Sequence, residues 1–294
     1  MSSAVPIYTP GNCAVAYQLN WSYSLFWTRP PNDHNWFSDL QAACEADSIR
    51  LLQHEFKPPN VSQFLVSTTP FVPPVLIAHR VKGRLQHLIR ARLPRAFRRN
   101  YSLRSLGSTR YEKLDAYIAS QVQHHPMADA RVQERFVAYQ IHRPEIDLAA
   151  LRRNGHGVFC YNLHVVFATQ ERWREIRHEV LVRVRKMIES ASQSKGHFLR
   201  RAGLLPDHVH LTLGCDPKES PGEVALSYMN NLAYAQAMSE VFRYSYFVGT
   251  FGEYDLGVIP RSVPQCRIIA PPGQARRGRE GSARPANELP GTFG

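Results

Sequence analysis

Apolar and polar positions alternate with a period of two in two widely separated stretches. Tyr17, Leu19, Trp21 and Tyr23 mark the first, and Tyr161, Leu163, Val165 and Phe167 the second. In an extended chain, alternate side chains share a face, so each stretch predicts a strand with one face buried. After the second stretch, Trp173, Ile176, Val180, Val184 and Met187 fall at helical spacing on one side, which predicts a helix. PDHVHLTLG then reads as another strand, with His208, His210 and Thr212 on one face and Val209, Leu211 and Leu213 on the other. Ser220 and Glu223 flank Pro221 at capping-box spacing and predict the start of a further helix. A strand ending in glycine closes the unit. The first half follows the same order, and then adds GSTRYEKLDAYIASQVQHH. Here Thr109 and Glu112 have capping-box spacing, and Leu114, Ile118 and Val122 form an apolar stripe.

The two halves also align by residue. AFRRNYSLRSLG (96–107) matches VFRYSYFVGTFG (241–252), with Tyr101 on Tyr246 and Gly107 on Gly252. AYQLNWSYSLFW matches CYNLHVVFATQERW with Tyr17 on Tyr161, and VSQFLVSTTPFVPP matches HVHLTLGCDPKESP with Pro74 on Pro221. Collinear matches at a nearly constant offset predict an internal duplication. The expected fold class is α+β: two repeats, each an antiparallel sheet with helices on one side. The expected boundaries are a first repeat at 1–125, a linker with one helix at 126–155, and a second repeat at 156–260. A Pro-, Gly- and Arg-rich tail at 261–294 is expected to be disordered.

Charge narrows the partner. The formal net charge is +12 and the pI about 9.7. No acidic residue lies between Glu55 and Glu112, and residues 80–104 carry nine Lys or Arg with Phe97 and Tyr101 among them. Cations interleaved with aromatic rings suit a groove that follows a phosphate backbone. No apolar run approaches the roughly 18 residues of a membrane helix, and MSSAVPIYTPGN lacks the pattern of a secretory signal. Five cysteines without CxxC spacing predict reduced thiols and a cytoplasmic protein.

The candidate chemistry is divided between the halves. His208 and His210, two residues apart on one strand face, can share a divalent ion. With 13 histidines in the chain, the spacing carries little information by itself. The aligned first-half positions are Val61 and Gln63, which cannot make the same site. The first half instead has Tyr117 and Gln121 one turn apart on its extra helix, with His124 near the end.

Taken together, the chain resembles the HUH single-tyrosine transposases of the smallest bacterial insertion sequences and the related REP-associated tyrosine transposases. PDHVHL and SYFVGTFG carry the resemblance in the second half. VKGR, YSLRSLGS and the helix with AYIASQ carry it in the first. The resemblance implies ferredoxin-like repeats and a nucleophilic Tyr117. It implies a Mg²⁺ or Mn²⁺ ion on His208, His210 and Gln121, and a single-stranded or hairpin DNA substrate. The family's dimers build each site from the histidine pair of one subunit and the tyrosine helix of the other. The complementary losses here therefore imply a fused pseudo-dimer with one complete site per chain, acting as a monomer or homodimer near the bacterial nucleoid. Lys82, Arg84, Arg98 and Arg99 are the candidate DNA-binding residues. Rival readings are a domesticated hairpin-binding protein without turnover and a hydrolase that uses a metal-bound water.

Overall fold

A computed structural model describes residues 5–125, 127, 129–172, 174–237, 240–252 and 266–272. The first half contains β1 (Ala14–Gln18), β2 (Asn20–Trp27), α1 (Phe37–Glu45), β3 (Ile49–Lys57), β4 (Val61–Thr68), α2 (Pro74–Ile89), β5 (Phe97–Leu106) and α3 (Tyr111–His124). Between the halves lie α4 (Ala130–Tyr139), β6 (Ile141–His142) and β7 (Arg152–Asn154). The second half contains β8 (Gly157–Cys160), β9 (Asn162–Thr169), α5 (His178–Lys195), β10 (Phe198–Leu204), β11 (His208–Gly214), α6 (Pro221–Gln236) and β12 (Phe242–Thr250), followed by β13 (Arg267–Ile269).

Two sheets form, and they repeat one topology. The first runs β3-β4-β2-β5-β8-β7 and the second β10-β11-β9-β12-β1-β13, with β6 added beside β10. The α+β expectation holds, with one difference. Each sheet is antiparallel except where it takes a parallel strand from the opposite half, β8 on β5 and β1 on β12. Hydrogen bonds at this exchange come in reciprocal pairs. Asn20 N–H donates to Thr250 Oγ1 at 2.8 Å, and Asn162 N–H donates to Ser105 Oγ at 3.0 Å. Ser105 Oγ donates to the Phe251 carbonyl, and Thr250 Oγ1 to that of Leu106. Val75 N–H reaches the Pro217 carbonyl at 2.9 Å, while Gly222 N–H reaches that of Pro70 at 2.7 Å. Such pairing, in which residue i meets j and the counterpart of j meets that of i, is the signature of a self-complementary twofold contact.

The alternating strands bury the face they predict. Trp21, Tyr23, Leu25 and Trp27 of β2 and Leu163, Val165 and Phe167 of β9 are fully covered. Each such side chain removed from water contributes about 1.5–3 kcal/mol before ordering costs. The core runs continuously from one half to the other, and a smaller cluster of Leu114, Ile118, Leu148 and Phe251 lies under α3.

Several local expectations are corrected. The ladders pair Ser24 with Gln63 and Val166 with His210, so β2 corresponds to β9 at an offset of 142, and Asn20 matches Asn162 rather than His164, on which the sequence alignment places it. Tyr17 and Tyr161 are therefore not equivalent. Helix α5 begins at His178, and Ile176 precedes it and is exposed, because Glu175 accepts the Arg177 amide and guanidinium and holds the chain outside helical geometry. Trp173 lies outside the described residues. Helix α3 has Arg110 at its N-cap with no side-chain cap bond, so Thr109 and Glu112 do not form the expected box. The Ser220–Glu223 box is present in full. The 126–155 segment contributes two short strands besides its helix, and within the 261–294 tail Arg267–Ile269 pair with β1. The rest of that tail lies outside the described residues. No described helix is long and apolar enough to cross a membrane.

Candidate active site

Strand β11 lies between β9 and β10, and both of its faces are covered. Val209, Leu211 and Leu213 enter the main core, so the alternating residues His208, His210 and Thr212 face the opposite side. Both histidines are nearly fully buried, at 3% and 1% exposure. Each ring is held through Nδ1. His208 Nδ1 lies 2.7 Å from Asp207 Oδ1, and His210 Nδ1 lies 3.0 Å from His164 Nε2 on β9. In each ring Nε2 is buried without a hydrogen-bond partner.

These contacts set the electronic state of the pair. Burial opposes ionisation of Asp207, but the hydrogen bonds and charges of His208 and Arg172 outweigh it and hold the carboxyl at about 2. Ionised Asp207 is therefore an acceptor for His208 Nδ1–H, and in the neutral tautomer that donates to it the Nε2 lone pair is bare. Burial lowers the His164 pKa to about 4 and pushes that of His210 well below its ordinary value, aided by the neighbouring imidazoles. Both rings are neutral near pH 7. When His210 donates from Nδ1 to His164, its Nε2 too becomes a free donor to a cation. Two bare imidazole nitrogens on one strand face fit a divalent ion. Among the described residues no three His, Cys, Asp or Glu side chains group as a metal site, so a third protein donor would be of another kind, such as an amide.

Helix α3 covers this face, docking on the second sheet although it belongs to the first half. Asp115 accepts both Nε–H and an Nη–H of Arg201 on β10 at 2.8 Å each. Ile118 lies against Gly203, where a Cβ would meet its Cγ2. Leu114 and Ile118 share a cluster with Phe251 at the end of β12. This docking brings the half-buried Tyr117 ring edge-on to His210, with centroids 5.7 Å apart. Burial raises the Tyr117 pKa, and a hydrogen bond from Gln121 acts in the opposite direction. Gln121 is buried at 3% exposure, one turn beyond Tyr117, and its Nε2 donates to the Tyr117 carbonyl at 3.3 Å. His124 is exposed, whereas the His125 ring stands 5.2 Å from that of His208.

The histidine pair and Tyr117 thus meet on one face of one sheet, with Gln121 buried one turn further along α3. Val61 and Gln63 occupy the matching places on β4, where Gln63 Nε2 donates to Ser22 Oγ just as His210 meets His164. The four candidate DNA-binding residues lie elsewhere, on α2 and β5. Arg98 and Arg99 are exposed, Arg84 is tied to Asp47 at 2.6 Å, and Lys82 turns back to the carbonyls of Arg98 and Arg99. Sequence reasoning did not find His164, Asp207 or His125. The only available signal for His164 was a polar residue on the same strand face parity as Val166.

Comparison with known proteins now bears on this arrangement. A family model for IS200-like transposases matches residues 157–263. The match spans the histidine strand, its two helices and β12, and the resemblance to the HUH tyrosine transposases holds over this region. Comparison with curated proteins returned no significant match. The sheet of the matched region takes β1, and β10 within it takes α3, from residues that precede the match.

Proposed function

We propose that this chain acts as a transposase-type single-strand DNA nickase and strand transferase with one composite active site per chain. Family membership of the second half supports a DNA-transposing role at the coarse level. The observation that carries the finer reading is the approach of the Tyr117 ring to His210 from the other half of the chain.

In this reading Tyr117 is the nucleophile. Its hydroxyl attacks the scissile phosphorus, a Tyr O–P bond forms, and the P–O3′ bond breaks. The products are a 5′-phosphotyrosine and a free 3′-OH, with the phenolic proton passing to the departing oxygen. Attack by another 3′-OH reverses the step and joins strands without an external energy source. A buried phenol is a poor nucleophile at neutral pH. His208, His210 and the amide of Gln121 would hold Mg²⁺ or Mn²⁺, which polarises a non-bridging phosphate oxygen and offsets charge building in the transition state. Asp207 and His164 keep the two Nε2 atoms unprotonated, and α3 excludes water from the face.

The repeated sheet topology and reciprocal bonds support a fused pseudo-dimer, active as a monomer or homodimer. Its second potential site, at Val61 and Gln63, has no histidine. A hairpin-binding protein without turnover leaves the two aimed nitrogens and Tyr117 without a role. Labelled single-stranded hairpin DNA with Mn²⁺ should yield a protein–DNA adduct on a denaturing gel. Tyr117→Phe should abolish the adduct and retain hairpin binding; an adduct that persists in this variant removes Tyr117 from the reaction.

A further inference from the structure

The half that carries the histidine pair differs from the other in more than the pair. The loops after β2 and β9 can be matched bond by bond. Thr169 N–H donates to the Asp207 carbonyl at 2.8 Å, and Trp27 N–H donates to that of Asn60 at 2.8 Å. Gln170 N–H donates to the Val241 carbonyl, and Thr28 N–H to that of Ala96. Asp207 therefore stands where the first half has Asn60. Counting on from these pairs, Arg172 stands where it has Pro30. Val61 and Gln63 take the places of His208 and His210 in that half. Guanidinium, carboxylate and both imidazoles are thus present together in one copy and missing together from the other.

In the second half these residues touch. Arg172 Nη1 donates to Asp207 Oδ2 at 3.1 Å, and the other oxygen, Oδ1, lies 2.7 Å from His208 Nδ1. One carboxylate therefore joins the guanidinium to the imidazole. The turn that places Arg172 has an uncommon shape. Glu171 and Arg172 have φ of 49° and 57° although neither is glycine, and no residue from 28 to 36 in the other copy has a positive φ. Left-handed backbone is costly for a residue with a side chain and persists where the surroundings over-determine it. Arg177 on the same loop closes a fork on Glu175, and Arg201 on the adjoining strand closes one on Asp115 with its side chain 10% exposed. Arg172 instead keeps 42% exposure and uses one of its several N–H groups on Asp207. Its charge is felt at His125, whose ring stands 5.2 Å from that of His208, so the guanidinium lies within electrostatic reach of the end of α3.

We infer that Arg172 is a substrate-contacting residue of this site: its exposed N–H groups grip a backbone phosphate beside the scissile one, while Asp207 holds the same guanidinium against the histidine pair. The inference rests on the proposed reading that a DNA strand is worked at His208 and His210. In that reading the scissile phosphate meets the Nε2 edge of the His208 ring. Arg172 is fastened at the opposite, Nδ1 edge, so the group it meets is a neighbouring phosphate of the same strand. Arginine suits this place because its planar fork serves two acceptors at once, where lysine would supply the charge alone.

The test uses the full chain as Tyr117→Phe, which keeps cleavage out of the measurement, and a labelled DNA hairpin with a single-stranded flank. A series of this hairpin carries one neutral methylphosphonate at each flank position in turn. Binding in Mn²⁺ should fall about tenfold at one position and little elsewhere. Adding Arg172→Gln should weaken binding of the unmodified hairpin about tenfold and abolish the extra loss at that position. Arg172→Lys in its place should restore part of the affinity and part of the positional loss. The same series in EDTA should give the same pattern, because the guanidinium makes the contact without the ion. The inference is overturned if no position matters, if the positional loss persists in the Arg172→Gln protein, or if that protein binds the unmodified hairpin like its parent. A pattern seen only with Mn²⁺ overturns it too, since Arg172 would then act through Asp207 and the ion alone. If Arg172→Gln does not fold, Arg172→Lys decides by the same comparison. A wild-type protein that forms no adduct while the positional pattern holds would count against the nicking reading alone.

Discussion

At the scale of single residues, the histidine pair is defined by what lies behind it. His208 and His210 were legible from their spacing, but the spacing gives no information on which ring nitrogen is free. Asp207 and His164 decide that, and His164 reaches the site across a strand pairing that no local pattern reveals. Removing the carboxylate frees the His208 ring to rotate and change tautomer. Asp207→Ala should weaken Mn²⁺ binding about 10–100-fold by calorimetry, the usual effect of losing such a support. A separate histidine governs acid sensitivity. His54 lies in an aromatic cluster with Trp36 and Phe64, and burial, with the charge of His34, lowers its pKa to about 4. As pH falls below the unfolded value near 6.5, the unfolded chain takes up a proton that folded His54 refuses until about pH 4. Stability should therefore be fully present above pH 6.5 and decline towards pH 4. His54→Gln should make that decline shallower in urea titrations followed across this range.

At the scale of elements, strands were the most legible because one face of each is buried and the period of two survives. The Ser220 cap was legible because its partners are three residues apart. Helix starts without side-chain caps, at Tyr111 and His178, were not, since docking on the second sheet holds the first and the Glu175–Arg177 contact sets the second. The placement of α3 on the second sheet is the clearest case. Its stripe of Leu114, Ile118 and Val122 predicts a buried face but does not say which sheet buries it. The bidentate Asp115–Arg201 pair and the bare backbone at Gly203 make that choice. Arg201 is only 10% exposed at its side chain, so Asp115→Ala leaves a buried cation uncompensated. The expected loss is about 3 kcal/mol in urea unfolding, with adduct formation reduced because Tyr117 no longer holds its position.

At the scale of the whole molecule, the repeated sheet topology was legible from two of the three aligned stretches, the Tyr17–Tyr161 alignment being out of register, whereas the strand exchange was not, because alignment carries no information on partners. Each sheet is completed by a strand from the opposite half, and Gly107 and Gly252 permit the crossing. A Cβ at Gly107 would strike the Thr250 carbonyl, and one at Gly252 the Ser105 carbonyl. A protease site inserted between α3 and α4, with the chain then cut, should leave two pieces that elute as one particle and separate only in denaturant. Separation under native conditions would show that the exchange does not hold the halves together. The exchange also imposes an order on biosynthesis. Ala14–Gln18 pair in parallel with Ser245–Gly249, more than 200 residues later. At about 5–20 residues per second, a ribosome exposes the early strand for at least ten seconds before its neighbour is made. The nascent chain therefore carries an early strand without its later neighbour until Ser245–Gly249 are made, an interval that holdase chaperones are suited to protect.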